Sequence, residues 1–189
     1  HALQPRTPLH VVAVNDTHIV ACLTLGPDAR AVAEVSEPLK ARIGRFAYGV
    51  ALAKIALSWQ RPSLSISIDG ETYEGEALYL AKGRYFAGPW SFAPAASLAE
   101  PLLHVAILKR ARRRDFLSFI WRMLRGEVRD GGNLVLRAGV AITVAADVDH
   151  PVQIDGDPGP ALPLDVRITG VRLNGRGSEI PLSSPSAEA

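Results

Sequence analysis

Sulfur chemistry is nearly closed to this sequence. Cys22 is its single cysteine, so an intramolecular disulfide is impossible and metal ligation by thiolates is not expected. Set in the run Ile19-Val20-Ala21-Cys22-Leu23, it reads as core. No apolar stretch approaches the roughly 20 residues that span a bilayer, and the N-terminus lacks the charged and apolar regions of a signal peptide. A soluble, cytoplasmic domain is therefore expected. An excess of one charge is missing as well: the net charge is +2, too small to point to nucleic acid. No repeat or low-complexity segment interrupts the chain. What is abundant is hydrophobic residues, at 48% of 189, which excludes a disordered tail and suffices for one domain with a substantial core. A chain starting at His1 without methionine reads as a processed or excised piece.

His10 to Asn15 and Thr17 to Leu25 are apolar, β-branched runs separated by Asn15-Asp16, a hairpin or tight β-connection. Beyond Gly26-Pro27-Asp28, Ser36 suits an N-cap, Glu37 the positive end of a helix dipole and Pro38 the first turn. These predict a helix over about 37 to 58, ended by Arg61-Pro62. From Ser63 to Gly83 the pattern is a hairpin: Leu64, Ile66 and Ile68 alternate with serines up to Asp69-Gly70, and Ala77 to Leu80 form the heart of the returning strand. Tyr85, Phe86, Trp90 and Phe92 occupy an irregular loop, where they line a pocket or, in the commoner use, cover the end of a sheet. Leu102 to Leu108 is a strand, and Asp115 caps a short amphipathic helix that runs to Leu124 and stops at Gly126. Leu134 to Ala146 is strongly β with a bend at Gly139. Leu162 to Leu173 holds one or two more strands. The expected fold is mainly β (α+β), an antiparallel β-sandwich with two helices packed at one side, in a single domain over 1–175 with a loose polar tail at 176–189.

Chemistry concentrates late in the chain, in Asp147-Val148-Asp149-His150-Pro151-Val152-Gln153-Ile154-Asp155-Gly156-Asp157. Val152 and Ile154 alternate with Gln153 and Asp155 as in a half-buried strand, and Gly156 permits a tight turn. Asp155 and Asp157 then project from the rim of a sheet. Carboxylates held together attract a divalent cation or accept a proton from a hydroxyl. A solvated hairpin tip is the plain alternative, since Asp-Gly is a common turn dipeptide. The run Lys109-Arg110-Ala111-Arg112-Arg113-Arg114 also has two readings. It is a solvated loop, or, abutting a helix with Phe116, Phe119 and Trp121, it docks on an anionic membrane. Aromatic positions do not interleave with it as RNA-binding modules require.

Four pieces together resemble a known family. They are Gly26-x-Asp28-Ala29 followed by Pro38-Leu-Lys-Ala-Arg-Ile-Gly-Arg-Phe-Ala-Tyr48; Gly83-Arg-Tyr-Phe-Ala-Gly-Pro-Trp-Ser-Phe-Ala-Pro94; the short helix from Phe116 to Gly126; and Val152 to Asp157. In order and spacing, over roughly residues 11 to 170, they resemble the C-terminal domain of bacterial diacylglycerol kinase-like lipid kinases, relatives of sphingosine and ceramide kinases. The resemblance implies a cleft between two domains. An N-terminal domain binds ATP with a Gly-Gly-Asp-Gly-Thr loop, and the C-terminal β-sandwich completes the site and helps admit the lipid. No such loop occurs in this chain; Asp130-Gly131-Gly132-Asn133 scrambles its residue types and sits in a predicted hairpin.

The implied reaction moves the γ-phosphoryl group of ATP to a lipid hydroxyl such as that of diacylglycerol, with Mg²⁺ and cationic groups offsetting phosphate charge and a carboxylate taking or orienting the hydroxyl proton. On that resemblance Asp155 is the base or its partner. Asp157 stands where the family usually has glutamate, a catalytic position that also contacts nucleotide or metal, here with a shorter side chain. Lys40 matches a lysine near the cleft that meets phosphate, while Gly44 and Tyr48 are packing residues. Glu100, within Ser97-Leu98-Ala99-Glu100-Pro101, stands where relatives commonly have an aspartate that helps hold a structural Mg²⁺. The literal Asp69-Gly70-Glu71 matches no active-site motif and is explained by a turn. The implied partners are a lipid substrate, the absent N-terminal nucleotide-binding domain, and an anionic membrane surface met by Lys109, Arg110, Arg112, Arg113 and Arg114 at the inner membrane face. A homodimer stays open, and the chain alone is expected to be inactive. Two other functions also stay open: a noncatalytic β-sandwich that binds a lipid or other apolar ligand, and the C-terminal domain of an NAD kinase.

Overall fold

The computed structural model describes residues 7–19, 21–26, 29, 61–86 and 89–175. Period-two alternation sets the architecture: strands with one apolar side must bury it, and here two sheets do so against each other. The strands in chain order are β1 (Thr7–Val14), β2 (Thr17–Ile19), β3 (Cys22–Leu25), β4 (Leu64–Ile68), β5 (Glu71–Gly75), β6 (Ala77–Ala81), β7 (Leu103–Leu108), β8 (Leu134–Gly139), β9 (Ala141–Ala146), β10 (Gln153–Ile154), β11 (Asp157–Pro158) and β12 (Leu164–Gly175). One sheet runs β2-β1-β12-β9-β4-β5 and the other β11-β10-β3-β6-β7-β8. Every pairing between these strands is antiparallel. Between the sheets lie Val12, Val14, Leu23, Leu25, Ile66, Leu78, Leu80, Val105, Ile107, Ile142, Val144 and Val166, all buried.

The sandwich and its antiparallel pairing follow the sequence expectation; the places where strands change sheet do not. Thr17 to Leu25, expected as one run, divides: β2 pairs with β1, whereas β3 pairs with β6 in the facing sheet. The strand returning from Asp69-Gly70 is β5, not Ala77 to Leu80. Five residues of β4 are fully matched by Glu71–Gly75, with Leu64 opposite Gly75, after which the chain crosses to start β6 in the other sheet. Leu134 to Ala146 likewise divides at Gly139, with β8 on β7 and β9 on β4. Two of these crossings need a missing side chain. A Cβ on Gly75 would lie 2.5 Å from Ile107 Cγ2 and 3.0 Å from the Leu108 carbonyl oxygen, and one on Gly139 would lie 2.6 Å from Ile68 Cγ2.

The β4–β5 turn is built by Asp69 (φ 49°) and Gly70 (φ 92°), two successive positive φ values that match the twist of a tight hairpin. The Asp69 carboxylate accepts hydrogen bonds from the amides of Val140 (3.1 Å) and Ala141 (2.9 Å), tying that turn to the β8–β9 crossing. Asn15 (φ 49°) does similar work at the β1–β2 turn, where its side chain donates to Pro163 O and accepts from the Asp165 amide.

The second sheet is covered on its outer face too. All five residues of β6 are buried, the near-continuous apolar pattern of a strand packed on both sides. Its cover is helix α1 (Arg113–Arg125) together with the aromatic loop. Tyr79 meets Phe119 at 4.8 Å between ring centres and Phe92 at 5.9 Å, and Phe86 meets Phe92 at 5.3 Å. Phe86 and Phe92 thus cover the sheet, while Tyr85 and Trp90 are exposed. Asp115 is inside the first turn of α1 rather than at its cap: Arg112 is the N-cap, without a side-chain capping bond. There Asp115 pairs with Arg112 at 3.6 Å and favours the positive end of the helix. Gly126 (φ 67°) ends the helix as expected. The helix expected over 37 to 58 lies outside the described residues, as does the tail at 176–189. No helix among the described residues is long and apolar enough to cross a membrane.

Replacing Gly75 by alanine is expected to cost about 1–3 kcal/mol, because a branch methyl of buried Ile107 and the Leu108 carbonyl both stand in the way. Urea denaturation checks this as a lower midpoint at unchanged slope; an unshifted midpoint would contradict the tight crossing.

Candidate functional site

Two strands of two residues each form the acidic corner. β10 and β11 pair as Ile154 with Asp157 and Gln153 with Pro158, and β10 joins the second sheet through β3. Asp155 (φ 50°) and Gly156 (φ 97°) make the turn, so the backbone geometry is again that of a tight hairpin. Below it, Thr24 Oγ1 donates to Gln153 Oε1 at 2.6 Å, a buried bond that fixes where the hairpin sits. Asp155 and Asp157 are both exposed.

Asp155 is nonetheless held firmly. Its Oδ1 accepts hydrogen bonds from the amides of Ala21 (2.9 Å) and Cys22 (2.8 Å), and its own amide donates to Cys22 O at 3.0 Å. Two donors on one oxygen fix the plane of the carboxylate. Ala21 passes this contact on, for its carbonyl accepts from the amides of Lys82 (2.7 Å) and Gly83 (3.0 Å). The corner is therefore linked to the end of β6 through a single residue.

Lys82 went unremarked in the sequence, where a lysine after a strand reads as solvated. It is completely buried, and its Nζ donates to Ser97 O at 2.6 Å and to Glu100 O. The available signal was position: Lys82 follows Ala77-Leu78-Tyr79-Leu80-Ala81, a run too apolar to lie at a surface. Burial pushes its ammonium below the ordinary lysine value, and the nearby Glu100 carboxylate pulls the other way. His104 on β7 was missed as well. Its Nε2 is buried without a hydrogen-bond partner among the described residues, beside a cavity of about 200 Å³ lined by Phe92, Pro94, Val128 and Arg137. Burial pushes the imidazole down; Glu100 opposes this and Lys82 reinforces it.

Of the residues named from the sequence, Asp155 and Asp157 lie on one hairpin, and Asp155 is joined to the Glu100 loop through Ala21 and Lys82. Lys40 lies outside the described residues, as do Gly44 and Tyr48. The four carboxylates and the imidazole of residues 147–157 do not converge. Asp147 instead accepts from the Ser63 amide at 2.8 Å at the end of β9, in the first sheet, and His150 is buried. Among the described residues no three His, Cys, Asp or Glu side chains are grouped to hold a metal ion. The structural cation implied at Glu100 does not fit what is present. Glu100 belongs to no such group among the described residues, and two carbonyls of its loop, Ser97 O and Glu100 O, are already taken by Lys82 Nζ. Of the aromatic residues expected beside the basic run, Phe116 and Phe119 are buried on the sheet, and only Trp121 faces outward.

Two measurements probe this geometry. Asp155→Ala removes the acceptor for two amides and is expected to cost about 1–3 kcal/mol, whereas Asp155→Asn keeps a carbonyl oxygen in place and loses less. Chemical denaturation of both variants checks it, and equal losses would contradict the capping role. For His104 the unfolded chain takes up a proton that the folded one resists, so stability falls as pH drops below about 6.5. His104→Leu is expected to shrink the difference in melting temperature between about pH 7.5 and 5.5; an undiminished difference would place the titration elsewhere.

Comparison with known proteins agrees with this fold. Residues 21–174 match the family model of the YegS C-terminal NAD kinase β-sandwich-like domain. The chain is 24% identical over 158 residues to a diacylglycerol kinase of Bacillus subtilis, covering 82% of this chain and 52% of that protein. It is 23% identical over 161 residues to a Staphylococcus aureus diacylglycerol kinase, covering 84% and 51%. The solved structure of a diacylglycerol kinase from Bacillus anthracis superposes with a TM-score of 0.59 at 14% identity, over 85% of this chain and 50% of that one. Another solved chain from the same organism reaches 0.66 at 19% identity, over 86% and 53%. The chain thus spans about half the length of the curated relatives it matches. Matched over most of its length by that family's model, the chain belongs to the YegS C-terminal, NAD kinase β-sandwich-like domain family.

Proposed function

We propose that this chain is the substrate-side domain of a lipid kinase that moves the γ-phosphoryl group of ATP to a lipid hydroxyl such as that of diacylglycerol. The observation that carries the reading is the alignment of this chain with about half of two bacterial diacylglycerol kinases. ATP then belongs to a second, nucleotide-binding domain, and this chain supplies one wall of the cleft and no activity by itself. An acidic corner cannot sit directly on phosphate oxygens, because like charges repel; it suits a hydroxyl donor or a cation. Asp155, its carboxylate plane fixed by the Ala21 and Cys22 amides, orients the acceptor hydroxyl. Asp157, one strand position beyond the turn, faces solvent and is the second carboxylate of the site. Lys40 completes the assignment as the cation that meets phosphate.

The lipid partner directs attention to α1. Leu117, Trp121 and Leu124 recur at i, i+4 and i+7 and are all exposed, at 64%, 58% and 42%. Lys109, Arg110, Arg113 and Arg114 are exposed beside them, with Arg112 partly so. The loop that carries these bases is tied down by hydrogen bonds: the Asn133 side chain accepts from the Arg110 amide and donates to its carbonyl, and Glu76 accepts from the Ala111 amide. A hydrogen-bonded basic loop next to an apolar stripe has the charge and shape to dock on an anionic membrane.

Phosphate transfer by the intact protein, offered diacylglycerol, ceramide, sphingoid base and NAD in turn, tests the reading. Transfer to a lipid hydroxyl is expected, and Asp155→Asn should lower turnover by about a hundredfold or more with little change in melting. Transfer to NAD alone would overturn it. In vesicle sedimentation, Arg113→Gln with Arg114→Gln is expected to weaken binding to anionic vesicles by roughly 30-fold, at about 1 kcal/mol per basic residue. Equal partitioning onto neutral and anionic vesicles would remove the membrane role.

A further inference from the structure

We infer that Lys82 is an internal cation that closes the Ser97–Glu100 loop, doing with an ammonium group what a bound metal ion would do. The loop turns its carbonyls inward. Ser97 O and Glu100 O both accept from Lys82 Nζ, Leu98 O accepts from the His10 amide at 3.1 Å, and Glu100 N closes the turn on Ser97 O at 3.3 Å. Convergent carbonyl oxygens repel one another unless a cation or a set of donors lies among them. Lys82 supplies both, for its ammonium carries a full charge and three N–H groups. The arrangement also answers the cost of burying a charge, which is tolerated only when the group is hydrogen-bonded and paired. Lys82 has carbonyl acceptors for its protons, and the Glu100 carboxylate is close enough to offset its charge. Stem and head are enclosed, and the residue is 0% exposed.

The position of Lys82 makes it more than a loop fastener. Its backbone amide donates to Ala21 O while the Ala21 amide donates to Asp155 Oδ1. The same residue therefore anchors the loop through its head and the acidic corner through its backbone. It is a positioning residue, and the loop it holds needs no divalent ion.

Thermal unfolding of the intact protein without nucleotide tests this, and needs no assay of activity, so its outcome is separate from that of the kinase reading. Wild-type protein is expected to melt within about 1 °C in EDTA and in millimolar MgCl₂ or CaCl₂, since nothing at the loop binds the ion. Lys82→Ala, which removes the charge and leaves room, is expected to melt several degrees lower in EDTA and to recover in part when the divalent ion is added. Lys82→Met, which fills the space without charge, is expected to melt lower and not to recover. A wild-type melting point that falls in EDTA and returns with metal would overturn the inference. So would a Lys82→Ala protein as stable as wild type, or one that gains no more from the ion than Lys82→Met. If neither variant folds, the metal content of purified, nucleotide-free wild-type protein decides: one tightly held divalent ion per chain, with melting that depends on it, overturns the inference, and metal-independent melting upholds it.

Discussion

Everything in this domain depends on two sheets pressing their aliphatic faces together, because no strand here could be stable with its apolar side in water. Leu23, Leu78, Leu80, Val105 and Ile107 from one sheet meet Val12, Ile66, Ile142, Val144 and Val166 from the other. That contact explains the positions of the glycines at the crossings. Where the chain leaves one sheet for the other it passes through the packed interior, and at Gly75 a single added carbon would meet both a side chain and a carbonyl. It also explains why polar side chains tie the turns. Asp69, Asn15 and Asp155 each satisfy backbone amides at the beginning of a neighbouring strand.

The second sheet is the more demanding of the two. Its central strand β6 is enclosed on both sides, so an outer layer of Tyr79, Phe86, Phe92, Phe119 and Met123 is as necessary as the inner one. This need places α1 and thereby leaves the opposite side of that helix, with Leu117 and Trp121, turned outward. The outward apolar stripe is thus a consequence of where Phe116 and Phe119 go, since residues three and four apart share a face and the intervening ones cannot.

Local pattern made much of the fold legible. Alternation identified the strands, Asp69-Gly70 and Asp155-Gly156 identified two hairpin turns, and Gly126 marked the end of the helix. The change of sheet at Gly75 and Gly139 was not legible, because an alternating strand looks the same whichever sheet it joins. In the candidate site, Asp155 and Asp157 stood out as carboxylates around a turn. What fastens Asp155 did not, since the Ala21 amide belongs to a residue 134 positions away and carries no side-chain signature. Lys82 was hidden for a related reason: its type suggests water, and only the enclosure of the strand before it says otherwise.

The brevity of the last hairpin has its own consequence. β11 contributes only Asp157 and Pro158 to the rim of its sheet, and proline has no amide hydrogen to offer. A passing chain therefore finds almost nothing to anneal to beside the acidic corner. The exposed face of the corner is therefore one of carboxylates and a proline ring, with little free strand edge to extend.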